Sequence, residues 1–260
     1  MVETNKEQKQ ETNIDLQKVV MNYLKATQRV FDVVNYLLAS ERLLNEEEYE
    51  KYTQRHRVMP SQQDAMNYET AKEEANGWIL RQTMNELLFI LALFLDDCRA
   101  IATIATWNAK KITGDLQKLL QDERAEFFKM DFAQRIQHLK TKYGIASAVE
   151  DHILSIYNTY RTLAGKGGVV SEAEAVEEGR LVLKLRSVLL KSTPSAEGPK
   201  PGAITVTSEI GDVVKKFAAG DKIKLSKDEH VASILTGAFF IGSMAESLKK
   251  YALQLGVLKS

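Results

Sequence analysis

Three of the four prolines, Pro194, Pro199 and Pro201, stand together in STPSAEGPKPG, and only Pro60 interrupts the chain before them. A long stretch almost free of breakers, then a cluster of them, predicts a helical body followed by a loop and a structural change. Lys+Arg and Asp+Glu are each 35, so the net charge is zero and no overall field draws the chain to nucleic acid or an anionic membrane. The single Cys98 excludes an intramolecular disulfide and a cysteine-built metal site. The opening MVETNKEQKQETN has no apolar core of a secretory signal, and residues 1–12 read as a disordered tail before one domain over 13–260. The expectation is a cytoplasmic protein without membrane association.

Apolar residues at helical spacing (Leu16, Val20, Tyr23, Leu24, Phe31, Val34, Leu38) predict an amphipathic helix near 14–44, with Lys18, Lys25, Gln28, Arg29 and Asp32 on its other face. A charged connector with room for one short helix ends at Pro60. Ser61 with Asp64 reads as the cap of a helix running to about Trp107. Its middle, Leu87–Leu95, is apolar all round and far short of the ~20 residues of a membrane span. It reads as the covered central helix of a bundle, with Trp78 and Trp107 as core anchors, Asp96-Asp97 where the helix becomes exposed, and Cys98 as an inert buried thiol. Two shorter helices, Asp115–Lys129 and Asp131–Lys142, are separated near Met130 and closed by Gly144. A helix over 147–164 carries the stripe Val149, Ile153, Ile156, Tyr160 and Leu163.

After Gly165, Gly167 and Gly168 the period changes. Ser171 and Glu174 suit a capping box on one helical turn. RLVLKLRSVLL (180–190), AITVTSEI (203–210) and DKIKLS (221–226) alternate as strands do. Ser226 with Glu229 opens a last helix to about Leu255, with Val231, Leu235, Phe239, Met244, Leu248 and Tyr251 inward. The predicted fold is a mainly α helical bundle with a small antiparallel β insertion near 180–226.

The most unusual local sequence is Tyr160-Arg161-Thr162-Leu163-Ala164-Gly165-Lys166-Gly167-Gly168-Val169-Val170. It is no P-loop: a helix precedes it, and Gly167 stands where that motif needs a hydroxyl. Read locally, it is a glycine-capped helix end with a lysine at the negative end of the dipole. The segment also resembles the core of HEPN domains, in which a helix ending Tyr-Arg-polar-x-x-x-His runs into Gly-Gly-Val-Val. The later SEAEAVEEGRLVLKLR and GDKIKLSKDEHVASILTGAFF are similar to a bacterial HEPN-like family with a β insertion before the last helix; the resemblance spans about 80–255.

The resemblance implies an all-α, usually homodimeric protein, often a metal-independent RNase of toxin–antitoxin or anti-phage systems, with no cofactor and no metal. In that chemistry an Arg holds the scissile phosphate and a His moves protons near neutral pH. Here Arg161 matches, Thr162 replaces the usual Asn or Asp, and Lys166 replaces the His. A lysine at its ordinary pKa of ~10.4 stays charged and shuttles nothing at pH 7. His152, about 900° and roughly 13.5 Å back along the helix, is on the opposite face. His56, His138 and His230 also read as surface residues. The expectation is therefore a degenerate protein in which Arg161, Thr162, Lys166, Gly167 and Gly168 contact RNA or nucleotide phosphate, or which acts as a scaffold. An active RNase using Lys166 or a folded-in His, and a helical protein–protein interaction module whose glycines are only a cap, remain the alternatives.

Overall fold

The computed structural model describes residues 14–41, 43–55, 66–194 and 204–258. The tail at 1–12, His56, Pro60, the Ser61–Asp64 cap and the Pro199/Pro201 loop lie outside them. The predicted mainly α bundle with a small antiparallel sheet before the last helix is what is observed. The helices are α1 (Leu16–Ser40), α2 (Glu46–Arg55), α3 (Tyr68–Lys110), α4 (Leu116–Lys129), α5 (Phe132–Tyr143), α6 (Glu150–Gly165) and α7 (Lys227–Gln254), with strands β1 (Arg180–Pro194) and β2 (Ile204–Ala218) between the last two.

Side-chain caps set most helix starts. Asp15, Asn67, Asp115, Asp131 and Ser226 each accept a first-turn backbone N–H, and Asp131 and Ser226 complete capping boxes with Gln134 and Glu229. α6 starts differently: Ser243 and Ser247 of α7 accept from the N–H groups of Ala148 and Ala146 at 2.8 and 3.1 Å. Gly144, at φ 70°, closes α5 as predicted.

α3 and α7 form the centre, and residues from α3 through α7 and both strands share one apolar core. α7 is the described helix long and apolar enough to cross a membrane, but Phe240, Ile241, Met244 and Leu248 are fully enclosed by the bundle. Its inward stripe also runs through Ala232, Ile234 and Gly237, so the predicted Val231, Leu235 and Phe239 are only half-buried. The reason is close packing. Gly237 lets α7 approach Leu87 of α3 so tightly that a Cβ there would overlap the leucine side chain, which rotates the helix toward its small residues.

The two strands pair antiparallel from Arg180↔Ala218 to Pro194↔Ile204. Leu181, Leu183, Leu185 and Phe217 bury the root of the hairpin against α6 and α7. Hydroxyls from those helices satisfy the edge of β1: Lys184 N–H donates to Ser155 Oγ at 2.8 Å and Arg186 N–H to Thr236 Oγ1 at 2.9 Å. The third predicted strand, 221–226, is not one. Its alternation is present, with Ile223 buried, but it pairs only briefly with 168–170, through one bridge at Val169↔Lys222 and bonds from Val170 N–H to Asp221 and from Ile223 N–H to Gly168.

Several surface and core assignments reverse. Leu87–Leu95 is not covered all round, because Phe89 is 60 % exposed and Leu93 borders it on the same face. Trp78 is half exposed rather than a core anchor, whereas Asp96 is buried. His152 and His230 are buried, and His138 is half-buried. Each reversal comes from a neighbouring element that sequence periodicity does not contain: α1 leaves one side of α3 open, and α4 covers the side carrying Asp96.

Candidate functional site

The segment singled out by sequence lies at the end of α6. The helix stops at Lys166, whose N–H still reaches the Thr162 carbonyl. Gly167 and Gly168 follow at φ 61° and 82°, in the left-handed region that side chains rarely adopt. At Gly168 a Cβ would also crowd Leu163 Cδ2 at 3.1 Å. This double turn buries Val170 and lets the backbone pair with 220–223.

The side chains then divide into two groups. Lys166 Nζ donates to Ser171 Oγ at 2.6 Å and lies 3.7 Å from Glu174 Oε2. Glu174 in turn accepts from the Ser171 N–H at 2.9 Å and from its hydroxyl at 2.8 Å. Burial pushes the Glu174 pKa upward, but the Ser171 bonds, the Thr162 hydroxyl and the Lys166 charge outweigh it, and the carboxyl sits below its ordinary range. Thr162 is fully buried and Lys166 is half exposed. Two positions at which the family resemblance looks for a nuclease therefore form a staple holding α6 to the 171–174 turn. Ser171 and Glu174 make the predicted cap contact, on a turn and not a helix.

Arg161 stands apart from that staple. It is exposed, with its guanidinium over the Tyr157 ring at 5.9 Å. Neighbouring Tyr160 donates from its hydroxyl to Asn85 Oδ1 on α3 at 2.7 Å, tying this end of α6 to the exposed face of α3. His152 does not substitute for the missing histidine. It is packed between α6 and the hairpin, where Nε2 is 3.1 Å from Asp212 Oδ1 but misaligned, so neither ring nitrogen is hydrogen-bonded. Arg186, bonded to Asp212 at 2.9 Å, holds that carboxyl below its usual range.

A second charged cluster was invisible in the sequence. Arg99, 2 % exposed, bonds Asp96 through Nε at 2.9 Å and Nη2 at 2.8 Å, and Arg124 binds the other oxygen of Asp96 at 3.0 Å. Thr103 donates to Glu123 at 2.5 Å, so the 2.8 Å bond to Tyr143 must have the tyrosine as donor. Burial raises the Glu123 pKa, but Lys142 and Thr103 more than compensate and keep it ionised. Arg99 Nη1, buried and 3.5 Å from Glu123 Oε2, is the member of this network without a hydrogen bond. Cys98, beside it, is fully buried with its pKa pushed up, an inert thiol as expected. No group of three or more metal-ligating side chains occurs among the described residues.

The third feature is an open apolar face. α1 and α3 run antiparallel, as the contacts Tyr23–Asp97 and Glu41–Lys72 require. Between them lies a groove walled by Val30, Val33, Trp78, Phe89 and Leu93. No family model, curated protein or solved structure matches the chain.

Proposed function

We propose that this chain is a HEPN-like protein without ribonuclease chemistry, acting as a homodimeric scaffold or binding component within a bacterial defence system. One observation carries the non-catalytic reading: Lys166, at the position of the proton-shuttling histidine, is engaged with Ser171 and Glu174. An ammonium has no lone pair with which to accept a proton, so it does not take over the histidine's role as base.

The open face of α3 supports the dimer. Trp78, Gln82, Glu86, Phe89 and Leu93 recur at helical spacing, a nearly palindromic stripe about Asn85–Glu86. Two copies of α3 crossing antiparallel there would set Trp78 of one against Leu93 of the other. Val33, Trp78, Phe89 and Leu93 leave large apolar side chains exposed on one face, a feature of interaction surfaces. Arg29 and Glu86 line the same groove without forming an ion pair, and a twofold axis would offer each the other's counterpart.

The exposed Arg161 over Tyr157 favours the second reading, in which RNA phosphate is bound without cleavage. The test is to incubate the purified chain with RNA in EDTA, beside Arg161→Ala and Lys166→His. No cleavage by the native chain is expected, and Arg161-dependent cleavage would overturn the reading. Salt-dependent binding lost in Arg161→Ala would select the phosphate-binding form. Light scattering should give a dimer that Phe89→Glu dissociates.

A further inference from the structure

The two edges of the hairpin differ. Lys184 and Arg186 of β1 turn their N–H and C=O groups away from β2, to the hydroxyls of Ser155 and Thr236. In an antiparallel ladder, residues that bond the neighbouring strand alternate with residues that face away from it. The strands are therefore joined at Leu183↔Lys215, Leu185↔Val213, Ser187↔Gly211 and every second pair beyond. The same alternation turns the N–H and C=O groups of Ser208, Ile210, Asp212, Val214 and Lys216 to the outer edge of β2. Among the described residues, no backbone group bonds Ile210, Asp212, Val214 or Lys216 there.

A bare edge of this length invites another strand, and the devices that blunt one are missing from its distal half. The register runs from Arg180↔Ala218 to Pro194↔Ile204 without a bulge. No proline stands within 204–218, and Lys215 and Lys216 lie at the root. Past Arg186 no described helix hydroxyl holds β1, and a two-stranded ribbon by itself is marginal in water. Val188 and Ile210, directly opposite one another on this part, are 45 % and 62 % exposed.

The strand is complementary to itself about Ile210. When two β2 edges meet antiparallel across a twofold axis, a residue at the axis meets its own counterpart. Centred on Ile210, the pairing aligns Val188, Ile210, the partner's Ile210 and the partner's Val188 in one apolar row across four strands. Asp212 then lies opposite the partner's Ser208 and Glu209 opposite the partner's Gly211, so no like charges face each other. A centre at Asp212 opposes two carboxylates, and a centre at Gly211 or Val213 sets Ile210 against the partner's Asp212 or the partner's Lys216. A centre at Val214 draws the two helical bodies roughly 27 Å closer along the strands. It also asks Asp212, already held by Arg186 at 2.9 Å, to pair with the partner's Lys216.

We propose that the outer edge of β2 pairs antiparallel with the same edge of a second copy of this chain, about Ile210, and joins two hairpins into one four-stranded sheet. The ribbon carries this contact alone, so it is small and weak and links copies at high local concentration. It depends neither on the α1–α3 face nor on the ribonuclease question.

The test is thiol crosslinking of the full chain by a short bismaleimide. All variants carry Phe89→Glu, which disrupts the α3 contact and keeps the two interfaces apart. Cys98 is fully buried and does not compete. Ile210→Cys sets its thiol beside the partner's, with Cα atoms about 5.5 Å apart. Val214→Cys is a comparably exposed control, 53 % for the native residue, whose counterpart lies roughly 27 Å away. Ile210→Cys should form covalent dimer about tenfold faster or more, because pairing holds its thiols at high effective concentration. Adding Ser208→Pro removes one outward N–H, leaves the bonds to β1 in place, and should cut that rate by a similar factor. No covalent dimer from Ile210→Cys at millimolar chain, equal rates for the two cysteines, or a rate untouched by Ser208→Pro would each overturn the proposal.

Discussion

The molecule holds two clusters of charge that invite opposite readings. The Lys166–Ser171–Glu174 staple sits at a glycine-rich helix end that attracts attention in the sequence, yet it is half exposed and fastens one turn. The Asp96–Arg99–Glu123 cluster follows an apolar run and reads as an ordinary exposed helix end, yet it is buried between α3, α4 and α5. Solvent decides what each cluster is worth: exposed pairs contribute little, while removing one member of a buried set strands the rest in a low dielectric.

The sharpest way to break that contrast is Asp96→Ala, which leaves Arg99 buried without its main partner and should cost about 3–5 kcal/mol, read by urea denaturation. The double change Asp96→Leu/Arg99→Met should cost much less than the single ones added together. A loss under about 1 kcal/mol for Asp96→Ala would mean the cluster behaves as a surface one.

Gly168→Ala is expected to fall between the regions, at about 1–2 kcal/mol, because it forces a side chain into the left-handed conformation. The same measurement on Gly165→Ala should give no loss, since a Cβ there meets nothing within 4 Å and φ is not positive. If the two glycines behave alike, the double turn is not what holds 168–170 against 220–223.

Glu174→Ala should lower stability by about 1 kcal/mol or less, a Tm shift of roughly 2–4 °C for a chain of this size. Hydrogen exchange should localise the change to the end of α6. A global collapse would show that the staple belongs to the core.

Acid separates the regions by window, not by sign. Burial, with Lys142 adding, lowers the pKa of His138, which faces the buried cluster. The unfolded chain therefore takes up that proton first, and stability falls as pH drops below about 6.5. Glu174 has a lowered pKa too, so its share is retained until pH falls below the ordinary carboxylate range near 4.5. His138→Gln should reduce the decline between pH 6.5 and 5, to which His230, lowered by its own burial, also contributes, and leave the more acidic limb unchanged.

Local chemistry explains which parts of the fold were legible. Asp115, Asp131, Gly144 and Ser226 mark helix ends with their own side chains or backbone angles, and the structure has those ends. The alternation in 221–226 misled because alternation reports burial on one side, not a hydrogen-bonded partner; Ile223 turns inward, but the backbone pairs only with 168–170. Lys166 was legible as a residue unable to move protons, while its binding to Glu174 was not, because the approach depends on two glycines folding the chain back.

By itself the amino-acid order determined where α4, α5 and α7 begin, that a hairpin precedes the last helix, and that an amine replaces an imidazole after Arg161, whereas the start of α3 lies at Asn67 and not at Ser61. These are matters of caps, periods and intrinsic acidity, all set within a few residues. Only the tertiary structure decided which charges lie in the dry interior and which side of α3 stays open, because burial is a property of the neighbours that long-range packing brings.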